Sequence, residues 1–178
     1  EKGYDRAAGT SLLVRAYLGR NRAPDLLRDF PAPDASTPAP VAAQIMAGRA
    51  QALMSLDRRD DARAAVAEAV RLNPNAAEPH MAASRLALIE NDRAAAMAAT
   101  ERALAADPNN IQALMSKGTL LYEQGQFQPA VDAFGKVISQ MPGSVINRTS
   151  AVDVIIQAVS AALMADVSAK AGVASVAN

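Results

Sequence analysis

The sequence predicts an all-α solenoid of antiparallel helix pairs. Three observations carry this. A proline returns every 34 residues, at Pro74, Pro108 and Pro142. Small residues recur at fixed offsets before it, and Ala makes up 42 of the 178 residues. Ala is the best helix former and lets two helices approach closely. Only six residues are aromatic, Tyr4, Tyr17, Tyr122, Phe30, Phe127 and Phe134, too few for one thick core but enough for thin layers between stacked repeats.

The period divides the middle of the chain into segments 43–76, 77–110 and 111–144. The eighth position of each holds Ala50, Ser84 and Gly118, the twentieth Ala62, Ala96 and Ala130, and the twenty-seventh Ala69, Ala103 and Val137. The twenty-fourth holds the larger Val66, Thr100 and Phe134. Within each segment the spacing predicts a first helix (Ala43–Leu56, Ala77–Glu90, Ile111–Gln124) and a second (Asp60–Leu72, Arg93–Ala106, Phe127–Gln140). Breaks at Asp57-Arg58-Arg59-Asp60, Asn91-Asp92 and Gly125-Gln126 separate them, where Asp and Asn can cap the following helix. Pro129 falls in a first turn, where its missing N–H costs little.

These residues resemble the tetratricopeptide repeat (TPR), a helix–turn–helix unit of the same 34-residue period. The third segment is the closest match, with Gly118, Tyr122, Gly125, Phe127, Ala130 and Phe134 in place. The first two depart from the pattern: the fourth position holds Met46, His80 and Leu114 instead of tryptophan, and the eleventh Leu53, Ala87 and Leu121 instead of tyrosine. The resemblance implies a right-handed superhelix whose first helices line a concave groove. A narrower resemblance is to the long TPR lipoproteins of bacterial exosortase and exopolysaccharide systems. Its cues are Tyr17-Leu18-Gly19, the Leu26–Pro31 stretch, and Ala69–Pro74 followed by Ala103–Pro108. It implies a place in the bacterial periplasm or envelope, a preference that composition alone does not supply.

Residues 1–42 read as a degraded helix pair plus connector. Ser11–Arg20 has helical spacing, Asn21-Arg22 breaks it, and Asp25–Phe30 is a short second helix behind Pro24. Four prolines between Pro31 and Pro40 then predict an extended connector. Residues 145–178 read as a packing helix, with Val152, Ile155, Ile156, Val159, Leu163 and Val167 on one face, and a frayed tail. Its other side shows Val154, Ala158, Ala161 and Ala165, a poor cap, so this end is expected to contact either the next repeat of a longer parent chain or, by self-association, a second copy of this one. Its uncharged run is shorter than the roughly 20 apolar residues of a membrane span.

Chemistry is sparse. Lys plus Arg equals Asp plus Glu at 18 each, which argues against a nucleic-acid surface. Cysteine is absent, removing thiol catalysis and thiolate metal sites. The single histidine, His80, occupies a position that packs inward. With no partner for a triad or metal site and no phosphate loop, the reading is of a non-enzymatic protein without a cofactor. The chain begins at Glu1, which is expected of a mature product or a piece of a longer protein.

The TPR resemblance assigns groove positions on the first helices. The candidate protein- or peptide-binding residues are Gln51 and Met54, then Glu78, Met81 and Arg85, then Gln112, Met115, Thr119 and Tyr122. Methionine suits adaptable surfaces, and Arg85 can pair with an acidic group. Leu88 and Ile89 fit either the groove or the packing between helices. A chaperone-type carboxylate clamp is not expected, because Ala47, Gln51, Ala82, Gln112 and Ser116 supply no cation. The function predicted is a scaffold that binds a protein or peptide in its groove. Two alternatives stand beside it: a substrate-recruiting or regulatory segment of a larger enzyme such as a glycosyltransferase, and a self-assembling array.

Overall fold

A computed structural model describes residues 6–140, together with positions 160 and 164. The expected C-terminal packing helix, with the self-association assigned to it, lies outside these residues. Every regular element among the described residues is a helix, in the order α1 (Arg6–Gly19), α2 (Ala23–Asp29), α3 (Ala39–Ser55), α4 (Arg59–Leu72), α5 (Ala77–Ile89), α6 (Arg93–Ala106), α7 (Ile111–Glu123) and α8 (Phe127–Gln140). It forms two compact units, Glu1–Pro108 and Asn109–Asn178. In the first, α1 pairs with α2, α3 with α4, and α5 with α6; α3 also packs on α1, and α5 on both α3 and α4. In the second, α7 pairs with α8.

One turn joins the two helices of every pair. Asp57 has φ 55°, Asn91 62° and Gly125 74°, the left-handed conformation that ends a helix. Around Asp57, its own N–H donates to the Met54 carbonyl (3.1 Å) and that of Arg58 to Leu53 (2.9 Å). The same two bonds recur at Asn91 and Asp92 and at Gly125 and Gln126. They recur again at Asn21 (φ 54°) and Arg22, which bond Leu18 (3.1 Å) and Tyr17 (2.9 Å). The α1–α2 turn is thus closed like the others. Capping differs from the expectation. Asp92 and Asn110 accept from Ala95 N (2.9 Å) and Ala113 N (3.1 Å), whereas Arg58 caps α4 without a side-chain bond. Asp60 and Asp61 lie inside the first turn instead, where negative charge favours the helix dipole.

The small positions are where the helices of a pair touch. Ala62, Ala69, Ala96, Ala103 and Ala130 are fully buried, as Val137 nearly is. The eighth and twenty-fourth positions form one contact in three versions. Ala50 and Val66 are both buried. Ser84 and Thr100 are buried and share a hydroxyl–hydroxyl bond of 2.8 Å. At Gly118 a Cβ would stand 2.4 Å from the ring of the buried Phe134. His80 packs inward as expected. Its Nε2 lies 2.7 Å from the Pro74 carbonyl, and since a carbonyl only accepts, the imidazole carries its proton there.

Helix α3 begins four residues before the repeat boundary. Pro38 is its N-cap and Pro40 lies in its first turn, where a missing N–H costs little, so only Phe30–Thr37 remains of the connector before the cap, and a turn from Thr37 N–H to the Asp34 carbonyl (3.1 Å) interrupts it. Helix α2 has seven residues against fourteen in α4 and α6. Its exposed carbonyl end is closed from α3: Arg49 Nη1 donates to the carbonyls of Leu27 (3.1 Å) and Phe30 (2.6 Å).

Candidate functional site

Counted back from the left-handed residue of each turn, the first helices align. Three residues before it stand Leu18 on α1, Met54 on α3, Leu88 on α5 and Tyr122 on α7. Six before it stand Arg15, Gln51, Arg85 and Thr119. Positions three apart share one side of a helix. Each first helix therefore offers a polar group and, one turn on, a large apolar one on the same side.

In the first unit this arrangement opens a cleft of about 350 Å3, lined by Leu18, Gln51, Met54, Arg85, Leu88 and Ile89. Its walls are aliphatic. Leu88 and Ile89 are 40 % and 41 % exposed, which places them on the face of the cleft rather than in the packing. Arg85 is half-buried, and its guanidinium donates to Gln51 Oε1 across α3 and α5. Burial holds its pKa below the usual arginine value, because low-dielectric surroundings disfavour the charged form. Beyond Ile89, Glu90 accepts from Arg63 of α4 (2.5 Å) and ties the end of α5 to the preceding pair.

Gln51, Met54 and Arg85 are brought together as the sequence suggested. Met81 is not. It is 5 % exposed, and Ala47, ten residues before its own turn like Met81, is 2 % exposed. The reason is that α5 from Ala77 to Ala82 is buried at every position except Glu78, so Met81 is enclosed by its surroundings. Glu78 is exposed in the first turn of α5 and does not line the cleft. Leu18 was missed, since the groove assignment started at residue 43.

In the second unit, Met115, Thr119 and Tyr122 lie along one side of α7 and are half-buried, while Gln112 is exposed. The Thr119 hydroxyl donates to the Met115 carbonyl (3.0 Å). The Tyr122 ring packs on Phe127 with centroids 5.6 Å apart. Ala47 and Ala82, two of the clamp positions, are buried. Among the described residues no group of three His, Asp or Glu could hold a metal ion, and no helix is long and apolar enough to cross a membrane.

Residues 43–76 match the family model of the tetratricopeptide repeat. No curated protein sequence matches the chain. Among solved structures the chain is similar to a thermophilic TPR protein of Thermus thermophilus, with a TM-score of 0.67 and 19 % identity over 89 % of this chain and 82 % of that one. It is also similar to MamA, with a TM-score of 0.59 and 19 % identity over 92 % of this chain and 88 % of that one. The fold is that of the tetratricopeptide-repeat superfamily, and the chain carries a repeat of that family at residues 43–76. Solenoid arrays of this kind build extended concave surfaces that bind other proteins.

Proposed function

We propose that the chain is a non-enzymatic scaffold that binds a protein or peptide partner on the face of its first helices, with the cleft between α1, α3 and α5 as anchor. One observation carries the reading. Aliphatic side chains that a helix pair could have buried instead stand exposed at Leu88 and Ile89, beside Leu18 and Met54. A concave, mostly apolar lining with a few convergent polar groups is what ligand sites have in common. Thr119 and Tyr122 hold the equivalent positions on α7, and we assign them, with Met115 and Gln112, a contact role in their own unit. A bacterial envelope assembly is the setting we favour, on the sequence cues around Tyr17 and Leu26–Pro31.

The test is capture of the native partner from cell extract. Leu88→Ser with Ile89→Ser is expected to abolish capture, and Arg102→Ala, on the exposed side of α6, to leave it intact. The opposite pattern overturns the reading.

A further inference from the structure

Independently of the cleft, we propose that copies of the chain associate head to tail, with residues 152–167 of one copy seated on the exposed face of α1 of another. The repeats themselves define the receiving face. Nine, eight and five residues before their left-handed turn residues, α3 and α5 meet the preceding helix pair. On α3 these positions are Gly48, Arg49 and Ala52. A Cβ at Gly48 would stand 2.3 Å from Val14, Arg49 donates to the α2 carbonyls, and Ala52 is buried with Val14, Ala23 and Leu26. On α5 they are Ala82, Ala83 and Leu86, which pack into the core formed with α3 and α4. On α1 they are Leu12, Leu13 and Ala16, and all three are exposed, the leucines by 67 % and 51 %. Helix α1 thus offers, uncovered, the surface by which its successors receive a neighbour. A repeat face that meets water is polar in solenoids; this one is aliphatic.

Size and charge set what covers it. Helix α1 carries leucine where α3 has glycine and α5 alanine, so its neighbour must offer small side chains where α1 itself offers Val14 to Gly48. The sequence of 152–167 does so. Val154, Ala158, Ala161 and Ala165 recur at three- and four-residue intervals, which places them on one side of the helix that the sequence predicts. Met164, three residues from Ala161, is described, helical and 73 % exposed. Leu12, Leu13 and Met164 are the three most exposed large apolar side chains among the described residues, and packing them together takes all three out of water. Arg15 and Arg20 stand exposed near the leucines, while residues 152–167 carry Asp153 and Asp166 and no cation. A second copy therefore supplies both the apolar and the charged complement. Because the two surfaces differ, the contact is heterologous and continues beyond a dimer.

Sedimentation velocity of the full chain between about 1 μM and 1 mM tests this. The mass is expected to rise with concentration past that of a dimer. Leu12→Glu with Leu13→Glu removes the receiving face, and Ala161→Glu with Ala165→Glu the inserted one; each variant alone should stay monomeric. Mixed one to one, they should regain a dimer and nothing larger, because the intact tail of the first fits the intact α1 of the second. That recovery also shows both variants to be folded. A parent chain that stays monomeric throughout would overturn the proposal. So would a mixture that regains no dimer although both variants melt like the parent in circular dichroism. Association that survives the Leu12 and Leu13 changes but not those at Ala161 and Ala165 would overturn it in favour of tail-to-tail contact. Association lost on Leu88→Ser with Ile89→Ser, and not on the Leu12 and Leu13 changes, would overturn it and place the second copy in the cleft.

Discussion

The pair Gly118 and Phe134 gives the sharpest test of the helix-pair packing. A Cβ at Gly118 would meet Phe134 Cε1 at 2.4 Å and Cζ at 2.6 Å, and the ring has no exposed surface into which to swing. Gly118→Ala therefore overpacks, at a cost of about 1–3 kcal/mol. Alanine's better helix propensity returns up to about 1 kcal/mol, so a net loss of about 1–2 kcal/mol is expected, lowering Tm by roughly 2–8 °C. Phe134→Val leaves a cavity and should cost about 2–4 kcal/mol. The double variant recreates the Ala50–Val66 contact of the first repeat, with alanine filling part of the space that the ring vacates. It should be at least about 1 kcal/mol more stable than the sum of the two losses. Urea unfolding followed by circular dichroism, with unchanged m-values, measures all four corners of the cycle. An additive cycle, or a Gly118→Ala protein more stable than the parent, would refute the close-contact assignment.

Ala96, fully buried between α5 and α6, should lose about 1–3 kcal/mol on conversion to Leu; an unchanged melting temperature would contradict the register. Arg49→Met should strip the Leu27 and Phe30 carbonyls of their charged donor. The expected cost is about 1.5–3 kcal/mol, seen first as faster hydrogen exchange in α2. The Arg28 guanidinium and then the Tyr17 hydroxyl hold the Asp29 carboxyl at about 2, below its ordinary 3.8. A depressed folded-state pKa gives stability that is present above the unfolded value and lost as pH falls through the folded one. The α1–α2 pair should therefore weaken between about pH 4 and pH 2, and Asp29→Asn should flatten that part of an acid titration followed by tyrosine fluorescence. A titration that keeps its shape in the variant would show that Asp29 does not carry the effect.

The period and the close-contact positions were legible because each depends on residue type alone: proline ends a helix, and only a small side chain fits at Ala62, Ala96 or Ala130. The left-handed turn was plain at Gly125. It was hidden at Asn21, Asp57 and Asn91, where side chains that favour this conformation also serve as helix caps. Aligning those turns shows that the first lies 36 residues before the second rather than 34. That offset concealed Arg15 and Leu18 as counterparts of Gln51 and Met54. The early start of α3 was obscured because a proline reads as a breaker unless the helix begins beside it, as it does at Pro38 and Pro40. Met81 shows the other limit. Its position faces the groove in repeat geometry, and only the packed structure reveals that this turn of α5 is enclosed. Arg49 gave no sequence signal, because the carbonyls it bonds lie 19 and 22 residues away.

Photo-crosslinking tests the central claim most directly. A benzoylphenylalanine placed at Leu88 in the cleft, and in a separate protein at Arg102 on α6, is irradiated in native extract and the adducts are mapped by mass spectrometry. The account predicts one dominant protein adduct from position 88, and none of that partner from position 102. The same partner crosslinking from 102 and not from 88 would contradict it.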